Sequence, residues 1–157
     1  MGLTLRNVKR SLFLAFAALF CMAAADAGEI AYRIHFGRAD DVKLLLSQGA
    51  DANALDDKGA PLLALAAGRN DEEGIIIAKA LLAAGADVNT KDADGKTALF
   101  YAAKAGNKEA VMLLLEHGVK YYDADKKGEI ARTVAHKSGH PEIVALMDEF
   151  VKSQTEK

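Results

Sequence analysis

The chain has 157 residues, a length that fits one domain with a substantial hydrophobic core. Its 20 basic and 22 acidic residues nearly cancel, so the formal net charge is −2. This balance argues against general nucleic-acid binding, which favours a strongly basic domain. A single cysteine, Cys21, excludes an intramolecular disulfide framework.

The N-terminal segment has the pattern of a secretory signal peptide. Three basic residues between positions 6 and 10 precede an unbroken apolar stretch from Leu12 to Ala25. Ala25-Asp26-Ala27 then supplies the small residues of a cleavage site. The apolar stretch has 14 residues, fewer than the roughly 20 that a membrane-spanning helix needs, so an uncleaved anchor is the weaker alternative. We predict that residues 1–27 are removed, and that the mature chain is periplasmic or secreted and has no membrane segment.

A short sequence recurs along the rest of the chain. The run GADANA that begins at Gly49 returns as GADVNT from Gly85, and each run follows a Leu-Leu pair. The pair Leu114-Leu115 stands before Gly118 in the same way. These glycines are 36 and then 33 residues apart. A period of this length indicates stacked structural repeats.

Each repeat is predicted to contain two short helices and an extended turn. In the third repeat the predicted helices are Thr97–Ala105 and Lys108–His117, and each is followed by a glycine, Gly106 or Gly118. The polar run at 89–95 has the Asp, Asn and Gly residues typical of a turn. A helix pair this short cannot bury its own apolar stripe, so neighbouring repeats must stack on it.

These units resemble the repeats of the ankyrin family, whose pattern is D-x-x-G-x-T-P-L-H-x-A-A, a glycine, and then V-x-x-L-L-x-x-G-A-D-V-N. The third unit matches at Asp92, Gly95, Thr97, Leu99, Ala102-Ala103, Gly106, Val111, Leu114-Leu115 and Gly118. The second matches at Asp56, Gly59, Pro61-Leu62, Leu81-Leu82 and the run from Gly85 to Asn89. The fourth matches at Asp125, Gly128 and the run from Gly139 to Leu146, and a degenerate first unit runs from Gly37 and Val42 to Asn53.

The resemblance implies an all-α ankyrin-repeat solenoid of four stacked helix-turn-helix units with β-hairpin-like fingers. The ankyrin domain would span residues 28–157, with repeats at about 28–55, 56–91, 92–124 and 125–153.

The departures from the family pattern give further expectations. The histidine of the pattern is replaced by Leu63, Phe100 and Thr133, which suggests that apolar contacts replace its hydrogen bonds. The alignment removes one residue from the second unit between Gly59 and Leu62. It adds about four residues around 68–74, where an acidic loop is expected at Asp71-Glu72-Glu73.

Polar residues in the outer units suggest that both are terminal caps. In the fourth unit, Arg132 takes the place of Leu62 and Leu99, and Asp148 takes the place of the second leucine of the Leu-Leu pair. The first unit carries Tyr32, Arg33 and His35 along its opening helix and is interpreted as the other cap.

The family uses its fingertips and the outward face of each first helix as a concave binding surface. Carried over unit by unit, with the aromatic Tyr122 added, the candidate protein-binding residues are Asp57, Lys58, Lys91, Asp94, Lys96, Lys104, Tyr122, Lys126, Lys127 and Lys137. For Tyr122 an interface role and a packing role are both open. Their excess of lysine predicts a basic stripe that attracts a complementary partner. The alternative is that these lysines only keep the turns soluble.

The sequence therefore predicts an exported monomer that binds another protein, with no nucleic acid and no cofactor. Two narrower roles stay open: a periplasmic inhibitor or immunity protein for a toxin or exported enzyme, and a secreted effector. The four histidines lack the spacing of a metal pair on one helix, and the aspartate-rich turns lack the ligand order of an EF-hand. With no nucleophile elbow or phosphate-binding loop, an enzyme is the weakest interpretation.

Overall fold

The computed structural model describes residues 27–155, so the predicted signal peptide lies outside them apart from its last residue. The described part is helical and has eight helices: α1 at 27–35, α2 at Ala39–Ser47, α3 at Leu62–Ala67, α4 at Glu72–Ala83, α5 at Ala98–Ala105, α6 at Lys108–Glu116, α7 at Ala131–Lys137 and α8 at Pro141–Thr155. None of these helices is long and apolar enough to cross a membrane.

The helices form four consecutive pairs that stack into two layers. The inner helix α5 packs between α3 and α7, and the outer helix α4 packs between α2 and α6. Each pair therefore buries its apolar stripe against its neighbours, as a solenoid requires. The predicted all-α stack of four helix-turn-helix units is confirmed.

One continuous core runs through the stack. Leu81, Leu114 and Met147, on the outer helices α4, α6 and α8, are fully or almost fully buried and occupy corresponding places in successive units. Leu99 and Ile143 are buried in the same core. Phe100, which takes the place of the family histidine, is also buried among these side chains. The expected apolar replacement of the histidine is thus confirmed in the third unit.

Short hairpin-like fingers precede the inner helices of units two, three and four. Leu55 pairs with Pro61, and Ala124 pairs with Ile130, each as an isolated antiparallel bridge. In the third unit the amide of Asp92 donates to the carbonyl of Lys96 at 2.9 Å, which closes the same kind of turn.

The predicted helix ends in the third unit are confirmed. Gly106 ends α5 with φ of 72°, and Gly118 follows α6 with φ of 78°, both in the left-handed region that glycine adopts without strain. At Gly106 a side chain would also collide with the His140 ring, at 2.5 Å from an added Cβ. The Nε2–H of His140 donates to the Lys104 carbonyl at 3.2 Å, so His140 packs the fourth unit on the third.

The predicted deletion between Gly59 and Leu62 in the second unit is wrong. Helix α3 begins at Leu62 after an extended Pro61, just as α5 begins at Ala98 after an extended Thr97. The two fingers also have the same hydrogen bonds at a constant offset of 36 residues. No residue is missing, and Leu63 rather than Leu62 corresponds to Leu99. The prediction that Leu63 takes the place of the family histidine is therefore wrong, because Ala64 corresponds to Phe100.

The inserted residues of the second unit do not form the expected acidic loop. The side chain of Asp71 caps α4 by accepting from the amide of Gly74 at 2.8 Å, and Glu72 and Glu73 form the first turn of that helix. The insertion therefore lengthens α4 to 12 residues, compared with 9 in α6. Acidic residues favour this position because the N-terminus of a helix carries partial positive charge.

Polar pairs close both ends of the stack, as predicted for caps. In the last unit, Arg132 donates to both carboxylate oxygens of Asp148, at 2.6 and 2.8 Å. In the first unit, Arg33 donates to Asp41 at 2.5 Å and to Glu29 at 2.7 Å. These charged residues stand where the inner units have buried apolar residues, so each end face is compatible with water.

We expect that restoring the apolar pattern at the C-terminal end would make the protein self-associate. The double variant Arg132→Leu with Asp148→Leu exposes a leucine pair on an end face that normally carries charge. Sedimentation velocity over a range of concentrations should show larger species for this variant only. A matched variant, Lys43→Leu with Asp40→Leu, removes an ion pair from the side of the stack and should stay monomeric.

Candidate protein-binding surface

The inner helices and fingers of units three and four enclose a pocket of about 370 Å³. It lies between α5 and α7 and is open to solvent. Four of the predicted lysines lie in this pocket, together with apolar and acidic residues; its lining is Lys96, Phe100, Tyr101, Lys104, Asp125, Lys127, Glu129, Val134, Lys137 and Ser138.

Two aspartates position the fingers that form one wall of the pocket. Asp92 accepts from the amides of Asp94 and Lys96 at 2.8 and 2.9 Å. Asp125 accepts from the amides of Lys127 and Glu129 at the same two distances. These bonds define the Asp-initiated turn of the repeat pattern. The amide of Lys126 then donates to the Asp94 carbonyl at 2.9 Å and joins the two fingers.

Asp94 and Asp125 of the fingers are held in their ionised form. The amides of Glu129 and Lys127 hold the pKa of Asp125 below its usual value against the opposing effect of burial. The pKa of Asp94 is lowered by its hydrogen bond from Lys96, which in turn raises the pKa of Lys96. Both side chains of that pair are therefore charged at neutral pH.

The charges in the pocket do not cancel. Lys96 pairs with Asp94 at 2.9 Å, and Lys137 pairs with Glu129. Within residues 27–155, Lys104 and Lys127 form no salt bridge, and both side chains are exposed. Because neither ammonium group has a salt-bridge partner among these residues, both can bind an added acidic group.

The floor of the pocket is apolar but has one fixed polar group. Tyr101 and Val134 occupy the same position of successive inner helices and are half-buried. The Tyr101 hydroxyl donates to Asp92 at 2.5 Å. Burial and this contact raise the pKa of Tyr101, so its hydroxyl stays protonated. Tyr101 and Val134 are not among the residues predicted for this surface, although the sequence places them at equivalent positions, 33 residues apart.

A second pocket, of about 460 Å³, lies between the first two units. The predicted residues Asp57 and Lys58 line it, beside Tyr32, Leu65 and Arg69. Its charges are mixed, whereas lysine predominates in the pocket of units three and four. The basic character of the concave face is thus concentrated in its C-terminal half.

The four other candidate residues, Lys91, Asp94, Tyr122 and Lys126, do not line either pocket. Asp94 lies on the fingertip and pairs with Lys96. Lys91 pairs with Asp123 at 2.8 Å, which compensates its charge. The Lys126 side chain is exposed beside the fingertip. Tyr122 is 64% exposed and packs edge-on against Tyr121.

In units one and two, an asparagine occupies the position of Tyr122 and connects its unit to the next. The corresponding Asn53 accepts from the amide of Asp87 at 2.7 Å, and Asn89 accepts from the amide of Lys120 at 2.8 Å. Each asparagine therefore ties its unit to the loop of the next. Tyrosine replaces asparagine where no further loop follows among the described residues, so its exposure has a structural reason.

The architecture is that of a helical repeat protein with a concave, partly basic surface. A family model described as ankyrin repeats (3 copies) matches residues 28–121 and 72–153. These matches cover well over half of the chain, which therefore belongs to the ankyrin-repeat family. Ankyrin repeats are protein–protein interaction modules, and family members are typically not enzymes. A comparison with curated proteins gives no match.

Proposed function

We propose that this protein is exported and binds an acidic segment of a partner protein in the concave pocket of units three and four. The observation that carries the proposal is the presence of four lysines in one pocket, two of them without an acidic partner among the described residues. Charge of one sign in a cleft attracts and orients a partner of opposite charge.

The shape of the pocket further specifies the partner segment. Lys104 and Lys127 offer ammonium groups to carboxylates, while Tyr101 and Val134 offer an apolar floor between the helices. An extended or looped segment that alternates acidic and apolar side chains satisfies both. Clefts with an apolar floor and a few polar anchors combine affinity with orientation in this way.

Export is the second part of the proposal, and the N-terminal sequence supports it. The family match begins at residue 28, immediately after the expected cleavage site, so cleavage would leave the repeats intact. We expect N-terminal sequencing of the protein isolated from its producing cells to start at Gly28. Retention of Met1 would contradict export through this signal. Fractionation then separates a periplasmic resident from a protein released into the medium.

The partner can be identified by affinity capture from a periplasmic extract with the tagged mature protein, followed by mass spectrometry. A captured toxin or exported enzyme would make this chain its inhibitor or immunity protein. Recovery of the chain itself from the culture medium would favour the effector role.

We expect the triple variant Lys96→Glu, Lys104→Glu and Lys127→Glu to associate with the captured partner at least ~10-fold more slowly at low salt. A matched control variant replaces Lys43, Lys120 and Lys152 with glutamate. These lysines lie outside the pocket, and the net charge changes by the same amount. Stopped-flow or biosensor association rates distinguish the two. Equal rates for the pocket variant and the wild type would show that the lysines serve only solubility.

A further inference from the structure

A groove runs between the outer helices α6 and α8, on the face opposite the fingers. Its volume is about 620 Å³. Met112 and Leu115 of α6 and Leu146 and Phe150 of α8 supply its apolar surface. Met112 is 45% exposed, so this surface is accessible to solvent.

In the preceding pair of outer helices, α4 and α6, an ion pair occupies the place of this apolar surface. There, Lys79 of α4 reaches Glu109 of α6, with 3.5 Å between the ammonium nitrogen and a carboxylate oxygen. The residues 33 positions later are Met112 and Glu142. Methionine cannot make this ion pair, so an apolar side chain is exposed and the Glu142 carboxylate has no lysine opposite it.

The edges of the groove are acidic. Glu116, Glu142 and Glu149 line it, against one lysine, Lys108. Among residues 27–155, Glu116 and Glu149 form no salt bridge, and the salt-bridge partner of Glu142 is the imidazole of His140, at 3.4 Å. The groove thus has the opposite charge to the concave pocket.

The length of α8 contributes to the groove. Glu149 corresponds to Glu116, the last residue of α6, yet α8 continues for six more residues to Thr155. Phe150 is the first residue of this extension, and Ser153 lies one turn further along the groove. The Phe150 ring is held edge-on against Tyr121, with 6.0 Å between the ring centroids.

We propose that this outer-helix groove is a second docking site, which binds a basic amphipathic helix of a partner protein. The apolar side of such a helix would pack on Met112, Leu146 and Phe150. Lysine or arginine residues at its flanks would face Glu116, Glu142 and Glu149. Helix-in-groove recognition combines apolar anchors at helical spacing with complementary charge at the edges. This proposal does not depend on the concave pocket, which lies on the other face.

The probe is a synthetic 18-residue helix with leucines at i, i+3, i+4 and i+7, lysines on both flanks, and one tryptophan. The chain has no tryptophan, so its emission reports on the peptide alone. We expect saturable binding with a blue shift, and at least ~10-fold weaker binding of a counterpart that carries glutamate in place of lysine. In a methyl spectrum of the methionine-labelled protein, the Met112 signal should move while the buried Met147 signal moves much less.

Met112→Lys is the decisive variant because it rebuilds the Lys79–Glu109 arrangement one unit later. We expect it to weaken binding of the lysine peptide at least ~10-fold with an unchanged circular dichroism spectrum. Glu149 lies on an exposed turn of α8, so Glu149→Lys provides a second test that is independent of Met112. Lys104→Glu with Lys127→Glu, in the concave pocket, should leave binding of this peptide unchanged.

Three outcomes would overturn the proposal. The first is equal affinity for the lysine and glutamate peptides, and the second is unchanged affinity in both Met112→Lys and Glu149→Lys. The third is self-association of the wild-type protein in sedimentation velocity that Met112→Lys abolishes. That result would assign the groove to a second copy of this chain.

Discussion

Replacing Leu114 with alanine is expected to lower the free energy of unfolding by about 2–5 kcal/mol. The Leu114 side chain is 0% exposed and packs in the core beside Leu81 and Met147, its counterparts in the neighbouring units. Truncation removes buried apolar atoms and leaves a cavity, because stacked helices on both sides limit collapse. Urea denaturation followed by circular dichroism measures the change.

The matched control is Leu44→Ala on the outer helix α2. Leu44 is 57% exposed, so the same truncation removes little buried surface and should cost less than about 1 kcal/mol. If Leu114→Ala cost less than about half a kcal/mol, the assignment of its side chain to the interface between units would be wrong.

The regular parts of the fold could be predicted because they repeat. Gly106 and Gly118 mark helix ends that local backbone geometry dictates, and the structure places both at positive φ. Val111 and Leu114 are fully buried in the third unit, and Leu81 and Met147 are buried at the position of Leu114 in the units on either side. Such features depend on a few neighbouring residues, so one sequence is sufficient to recognise them.

The second unit was harder to predict because two alignments match the same letters. Pro61-Leu62 fits the Pro-Leu of the family pattern, but Pro61 lies before the helix, at the position of Thr97. The acidic run at Glu72 and Glu73 falls in the segment that is inserted between the two helices, which predicts a loop. Its capping residue Asp71 and its position at a helix start explain why it is helical.

The candidate binding surface could be predicted only in part. Lys96, Lys104, Lys127 and Lys137 do line one pocket, but Lys91 is compensated by Asp123, a residue 32 positions away. Ion pairs of this kind depend on how far neighbouring units are rotated relative to one another. The repeat pattern alone does not contain that information.

Asn107 shows how such long-range contacts secure the insertion in the second unit. Its side-chain oxygen caps α6 by accepting from the amide of Ala110 at 3.0 Å. Its amide nitrogen donates to the carbonyl of Arg69 and to that of Ala67, the latter at 3.5 Å. Arg69 in turn donates to the carbonyls of Ile34 and His35 at 3.0 and 2.5 Å, at the end of α1. One buried asparagine therefore connects the third unit, through the inserted segment, to the first.

We expect Asn107→Ala to lower the free energy of unfolding by about 2–4 kcal/mol. The substitution removes a helix cap and leaves the carbonyls of Ala67 and Arg69 without their donor. Asn107→Ser is the informative control, since a serine hydroxyl can cap α6 but is too short to reach the two carbonyls. The difference in unfolding free energy between the serine and alanine variants measures the contribution of the helix cap. The difference between the wild type and the serine variant measures the contribution of the contacts between units. Amide hydrogen exchange should become faster at residues 68–71 in both variants. Unchanged exchange there would mean that Arg69 alone holds the segment, because its contacts with α1 do not depend on Asn107.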